Sequence, residues 1–463
     1  MHTSLTELPC IFGEPLILCG CDSFFWGREW NLDWGSSATG GSKKGAFLHG
    51  RLAAHGAKGI SVRQLGGGRA GEMRITRFLH NRKVTADEMV VTAKARTGAQ
   101  AIGRHVLAIQ DTTALRVDAQ GVGLFLHPVL AIDADDGTVL GLAGNAFLSR
   151  QGDKRGRRKR RDFEDKESQR WLEGAKSASA LAEAGAASVT VIEDREGDIY
   201  ESFALKPAGV HLLVRAAQER ALAGGGRLFA AANAFPEAGR MSVDLPATPG
   251  RKARKATLGL RHGKAEIKRP QDRKRAAGLP GTVTVWFVDA HEIDPPAGEE
   301  AAHWRLLTTH KVEDIGAAQR MVGFYRKRWT IEQLFRTMKT KGFQIETLRQ
   351  QEGPLQKLVT AILIAAITTM QLVAEREGAA GRPLSDALDP EDGPVLEQVC
   401  NSLEGDTQKQ KNPHPKGSLA YAAWVFARLG GWTGYYGKPG PIVMLRGLTE
   451  FHAIKHGWKL RDA

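Results

Sequence analysis

Cysteine is scarce in this chain: Cys10, Cys19, Cys21 and Cys400 are the only four in 463 residues. That usage points to reduced thiols in a cytoplasmic protein. A metal site built from Cys10 and Cys19-Gly-Cys21 lacks the second CxxC pair or histidine cluster that would complete it. No GxxxxGK[ST] phosphate loop is present, so an ATP-driven motor is not expected. HExxH is missing as well. His291-Glu-Ile-Asp-Pro-Pro296 imitates only its beginning, and the two prolines forbid the helix a zinc protease needs. There is no internal repeat. The short apolar segment 9–21 follows no basic stretch, so a signal peptide is not expected. The apolar stretch Leu358 to Ala374 contains Thr360, Thr368, Thr369 and Gln371 and is shorter than the roughly 20 residues of a typical membrane span. It reads as a buried helix, and no membrane partner is expected.

What is abundant is positive charge. Lys and Arg outnumber Asp and Glu by 65 to 51, giving a formal charge of +14 and a pI near 9.6. That balance favours a polyanionic partner, nucleic acid first and a membrane surface second. With 42% hydrophobic and 25% charged residues the composition is otherwise that of a globular protein, and the length allows two or three cores.

Residues 1–44 are rich in Gly, Ser and Trp and carry no assignable pattern. Residues 45–100 turn helical and basic, including Arg74-Ile-Thr-Arg-Phe-Leu-His-Asn-Arg-Lys83. A small helical DNA-binding domain and a helical packing layer fit that segment equally. In 101–205, strand-like runs at 105–110, 122–132 and 138–147 precede a helix from Trp171 to Ala187 and a buried strand from Ser188 to Glu193. Lys154-Arg-Gly-Arg-Arg-Lys-Arg-Arg161 holds seven cations in eight positions. Such blocks are commonly arms lying along a nucleic-acid backbone, or else solvated loops. Residues 206–312 read as an all-β insertion of short alternating strands separated by Gly and Pro turns. Residues 313–375 are helical, and 376–463 form a helical C-terminal region in which Gly417 to Gly431 could pair with a partner chain.

Read as one helix, residues 325–339 place Tyr325, Arg328, Glu332, Arg336 and Lys339 on a stripe roughly 80° wide at about 100° per residue. Phe324, Ile331, Leu334, Phe335 and Met338 occupy the opposite face, anchoring the helix and turning the polar stripe outward. Any amphipathic surface helix has such a face. Upstream, however, Asp111 ends the apolar run Leu107-Ala-Ile-Gln-Asp111, and Asp194 ends Val189-Thr-Val-Ile-Glu-Asp194. Three carboxylates from separate elements are what two-metal phosphoryl transfer requires, because two divalent ions activate one oxygen and stabilise another. Arg328, Arg336 and Lys339 would donate to phosphates, Tyr325 would add a hydrogen bond, and Trp329 would stack on a base or fill core.

The spacing Tyr325-x2-Arg328-x3-Glu332-x6-Lys339 resembles in full the signature of the insertion-sequence-four family of bacterial DDE transposases. Similarity runs from about residue 45 onward. It includes Ile109-Gln-Asp-Thr-Thr113, Lys166-Glu-Ser-Gln-Arg-Trp171, Asp194-Arg-Glu-Gly-Asp-Ile199, His303-Trp-Arg-Leu-Leu-Thr-Thr309 and Ala427-Arg-Leu-Gly-Gly431. The resemblance implies an α/β fold: an RNase H-like catalytic core with a β insertion, flanked by a helical N-terminal DNA-binding domain and a helical C-terminal dimerisation region. It implies Asp111, Asp194 and Glu332 as ligands of two Mg²⁺ ions, with Mn²⁺ able to substitute. Arg215, Trp304, Tyr325, Arg328, Trp329, Arg336 and Lys339 are implied DNA contacts, with Trp329 stacking on a flipped base and Trp304 wedging into its place. The implied reaction is cut-and-paste transposition through a hairpin. Its implied partners are double-stranded DNA at the element's terminal repeats and target, and a second copy of the chain, with no ATP. The implied location is the bacterial cytoplasm and nucleoid. The family's acidic and basic N-terminal motif is replaced here by Thr39-Gly-Gly-Ser-Lys-Lys44. Rival readings are a nuclease of the same fold that does not join ends, and a non-catalytic repressor bound to element ends.

Overall fold

A computed structural model of the chain describes residues 48–54, 56, 59–117, 123–150, 168–247, 252–271, 278–339, 342–348, 352–435 and 437–461. The three N-terminal cysteines and the cationic run 154–161 lie outside the described residues. Four helices open the described chain: α1 (48–54), α2 (Val62–Gly66), α3 (Arg69–Leu79) and α4 (Ala86–Ala101). α4 starts where it does because Thr85 and Glu88 form a reciprocal capping box.

Ten strands follow, joined in one mixed sheet. They are β1 (His105–Gln110), β2 (Thr113–Val117), β3 (Gly123–Asp133), β4 (Val139–Arg150), β5 (Ser188–Glu193), β6 (Val210–Arg215), β7 (Gly239–Leu245), β8 (Arg254–Lys268), β9 (Thr282–Glu292) and β10 (His303–Thr308). Their order is β2-β3-β1-β5-β6-β10-β9-β8-β7, with β4 paired to β3. β1, β5 and β6 run parallel, and the other pairings are antiparallel. α5 (Gln169–Glu183), α6 (Tyr200–Ala204) and α7 (Leu228–Ala234) lie between strands in sequence.

The parallel strands are apolar on both faces, and each face has its own core. Leu107, Ile109, Ile192 and Leu213 face a core that includes α1, α3 and α4 together with α8 (Ile315–Arg326), α9 (Trp329–Met338) and α10 (Glu352–Glu375). Val106, Ala108, Val189, Val191, Leu212 and Val214 face α5, α6 and α7. The N-terminal helices are therefore a packing layer on the sheet. Lys357 of α10 ties down the end of α3 by donating to the Leu79 and Asn81 carbonyls at 2.9 and 2.7 Å. The stretch read as a buried helix is α10: its apolar window is 94% buried, and it is the one described helix long and apolar enough to cross a membrane. A third core gathers α11 (Gly393–Leu403), α12 (Leu419–Leu429) and α13 (Pro441–Arg461) against the end of α10.

Four expectations are corrected. Residues 325–339 are two helices, because i to i+3 hydrogen bonds at Lys327, Arg328, Thr330 and Ile331 turn the chain between α8 and α9. The segment 206–312 is neither all-β nor separate: α7 lies inside it, and β6 pairs with β5 while β10 pairs with β6. Strand β2 was not anticipated, its five residues being too short for a clear period. Helix α12 offers no face to a partner, since every residue from Leu419 to Ala427 is buried within its own chain.

Candidate active site

Asp111 and Asp194 meet because of strand register. Ile109 of β1 pairs with Ile192 of β5 in parallel, and each aspartate lies two residues beyond that pair. Both therefore emerge at the carboxyl ends of adjacent strands, where open α/β sheets bind their ligands. The residue after each turns the chain away. Thr112 leads into β2, and Arg195 begins a 3₁₀ turn over Arg195–Gly197 that Asp194 caps. Each carboxylate is held by a nearby amide: the Thr112 N–H donates to Asp111 Oδ1 at 2.7 Å, and the Glu196 N–H donates to Asp194 Oδ1 at 2.8 Å.

Glu332 arrives from the first turn of α9. Ile331, Leu334 and Met338 are fully buried and anchor that helix, leaving Glu332 half-buried on its other side. Arg328, at the turn before α9, donates to Asp111 Oδ2 and to Glu332 Oε1, both at 2.9 Å. One guanidinium thus bridges two of the three carboxylates. Asp111 titrates near 6 instead of 3.8, because burial and then the charge of Asp194 oppose its ionisation, with Arg328 acting the other way. The same interactions place Asp194 and Glu332 within electrostatic range of Asp111.

The donor set is oxygen only, the kind that suits Mg²⁺ or Mn²⁺. Among the described residues no group of three His, Cys, Asp or Glu side chains converges closely enough to hold an ion. Arg328 stands between Asp111 and Glu332 as their countercharge. Asp111 and Glu332 thus have a guanidinium as their partner, and it is their oxygen chemistry that suits a divalent ion.

The remaining predicted residues surround this point unevenly. Tyr325 is 6% exposed rather than turned outward, and its hydroxyl interacts with Arg215. Burial pushes the Tyr325 phenol up and the Arg215 guanidinium down. Arg215 also donates to the His303 carbonyl at 3.1 Å, and the Trp304 ring lies 6.4 Å from that of Tyr325. Arg215, Trp304 and Tyr325 are thus brought together beside the aspartates by β6, β10 and α8. Trp329 is half-buried, with the exposed Arg336 guanidinium 5.7 Å from its ring. Lys339, at the far end of α9, pairs with Glu346 at 3.6 Å.

Sequence reasoning missed the layer behind the carboxylates. Gln110, Thr112, His127, Arg170 and Glu193 form a buried or half-buried polar network there. Burial, and then Arg170, holds His127 neutral with a pKa near 3, and burial raises the Glu193 carboxyl well above the usual range. One signal was available: an arginine immediately before a tryptophan at the start of a buried helix.

Two acidic residues at the carboxyl ends of neighbouring parallel strands and a third on a packed helix define a protein of the DDE class. The match to the family model described as "Transposase DDE domain" spans residues 73–368, more than half of the chain. The protein belongs to that transposase family.

Proposed function

We propose that this transposase moves an insertion sequence by cut-and-paste, as the insertion-sequence-four resemblance implies. The observation supporting it is that Asp111 and Asp194 lie side by side at the ends of adjacent strands while Arg328 bridges Asp111 to Glu332. In this reading the three carboxylates hold two Mg²⁺ ions, or Mn²⁺ in their place. When bound, such ions activate the attacking oxygen and stabilise the leaving 3′ oxygen. The chain's own residues do the positioning. Arg328 releases the carboxylates and takes up a phosphate, a fork-shaped donor exchanging one anion for another. Arg336 and Lys339 neutralise backbone phosphates along α9, and the half-buried Trp329 offers a ring face for an unpaired base. Arg215, Trp304 and Tyr325 form the opposing wall, with Trp304 as the wedge.

The proposed course is hydrolysis of one strand at the element's end, then attack of the freed 3′-OH on the opposite strand to close a hairpin. Hydrolysis of the hairpin and a second 3′-OH attack on target DNA complete it, without ATP. The N-terminal layer and the cationic run 154–161 are proposed to bind the element ends, and the C-terminal region to join two copies in a synaptic complex in the bacterial nucleoid. The test incubates purified protein and Mg²⁺ with labelled DNA carrying the element's end, beside Asp194→Ala, on a denaturing gel. A nick followed by a hairpin-sized product, absent with Asp194→Ala, is expected. Binding without cleavage in both Mg²⁺ and Mn²⁺ would overturn the reading, and cleavage without a joined product in a plasmid assay would convert it to a nuclease.

A further inference from the structure

We propose that Arg170 is a positioning residue that locks Asp111 and Asp194 to each other by gripping the two residues whose backbone amides hold them. The inference rests on the metal-site reading above. Arg170 sits in the first turn of α5 with its side chain 5% exposed. Its Nε donates to Thr112 Oγ1 at 2.9 Å, and an Nη donates to Glu196 Oε2 at 2.5 Å. Thr112 and Glu196 are the residues whose N–H groups hold Asp111 and Asp194. The two arms are equivalent: guanidinium to side chain, then the same residue's amide to a catalytic carboxylate. Arg170 touches neither aspartate, yet it closes the gap between two loops that diverge as soon as β1 and β5 end.

The network behind the clamp fixes the donor direction at Thr112. Gln110 gives both Nε2 hydrogens away, to Glu193 Oε1 at 2.6 Å and to the Trp171 carbonyl at 3.0 Å. Its Oε1 lies 3.0 Å from His127 Nε2, so that nitrogen carries the hydrogen. His127 Nδ1 is then an acceptor, and the Thr112 hydroxyl 2.9 Å away must donate to it. Thr112 Oγ1 is left with lone pairs only, which a guanidinium, having donors only, satisfies. Two glycines clear the space. A Cβ at Gly174 would lie 1.9 Å from Gln110 Oε1, and one at Gly197 would lie 2.3 Å from Glu193 Oε2. Two separate nitrogens on a rigid planar fork reach both loops at once, which a lysine ammonium at the end of a flexible stem does less well.

Manganese titration of the full-length, DNA-free protein by calorimetry tests the clamp, with Asp194→Ala as control. Groups that hydrogen-bond metal ligands directly are worth about 10- to 100-fold in metal affinity, and Arg170 stands one residue behind them, so Arg170→Met should raise the Mn²⁺ dissociation constant by about 10-fold, the low end of that range. Arg170→Lys should raise it less, while affinity for duplex DNA in EDTA stays at the wild-type value in both. If Arg170→Met does not fold, Glu196→Ala and Thr112→Val each open one arm; Glu196 is 63% exposed at its side chain and tolerates the change. Each should weaken Mn²⁺ binding, and the pair together should add less than the sum of the two. An unchanged Mn²⁺ constant in the folded variants, while Asp194→Ala loses binding, would overturn the clamp. An Asp194→Ala protein that binds Mn²⁺ like the wild type would overturn the metal-site reading itself, and the clamp with it.

Discussion

At one end of the parallel strands lie Asp111 and Asp194; at the other lie His105, His211 and His310, around Thr190 of β5. Both ends crowd titratable groups, and they resolve the crowding in opposite ways. The histidines shed charge. His211 and His310 stack at 3.8 Å, and the Thr190 hydroxyl lies 2.9 Å from His105 Nε2 and 2.8 Å from His310 Nε2. Burial lowers the pKa of all three, that of His310 to about 3. At the carboxylate end charge is retained and compensated, with Arg328 bridging Asp111 and Glu332. One cluster loses its charge to burial, whereas the other keeps charge and matches it with a guanidinium. Crowding of titratable residues alone therefore does not mark a site.

The largest test of this contrast is catalytic. Asp194→Ala should reduce strand cleavage by at least about a thousandfold, whereas His310→Asn, at the opposite end, should leave cleavage rates within about twofold on the same gel. Equal losses would erase the distinction between the ends.

The next is the pH dependence of stability in metal-free protein. Asp111 is raised from 3.8 to about 6, so its protonated form is favoured by folding. Stability from this group is fully present below about pH 4 and lost as pH rises through 6, by up to about 3 kcal/mol. Chemical denaturation at pH 4.5 and 7 should isolate this loss as the difference in pH dependence between the wild type and Asp194→Asn, because Asp194 is the second cause of the shift.

The histidine end has the opposite sign. His310 is lowered from 6.5 to about 3, so its contribution is complete above 6.5 and lost on acidification. Between pH 8 and 5 the share of the loss due to His310 should be about 2 kcal/mol, and His310→Asn should reduce the acid sensitivity by about that amount in the same denaturation series. A variant as acid-sensitive as the wild type would place the sensitivity elsewhere. The smallest effect concerns the exposed rim: Arg336→Ala should change stability by less than about 0.5 kcal/mol while lowering the salt slope of DNA binding by about one.

Much of the site could be read from the chain because its chemistry is written in local patterns. Apolar runs that end abruptly in aspartate marked Asp111 and Asp194 as strand-end residues, and the period through Ile331, Leu334 and Met338 put Glu332 on a helix side away from the core. The break between α8 and α9 was not legible, since Lys327 and Arg328 are good helix formers and only tertiary packing turns the chain there. Tyr325 was placed on an outward stripe by helical arithmetic that assumed no break. The membership of 206–312 in the central sheet was equally hidden, because the partners of β6 and β10 are set by pairing across many residues.

By itself, then, the sequence determined most of the element types, the identity of the three carboxylates and the positive charge, all of which depend on residue identity and short-range period. The tertiary structure decided what those residues meet. Strand register set Asp111 beside Asp194, and side-chain reach put Arg328 between two acids and Arg170 behind two loops. Burial, together with the charges beside each group, then set which groups keep their charge, since a pKa responds to neighbours that no local pattern names.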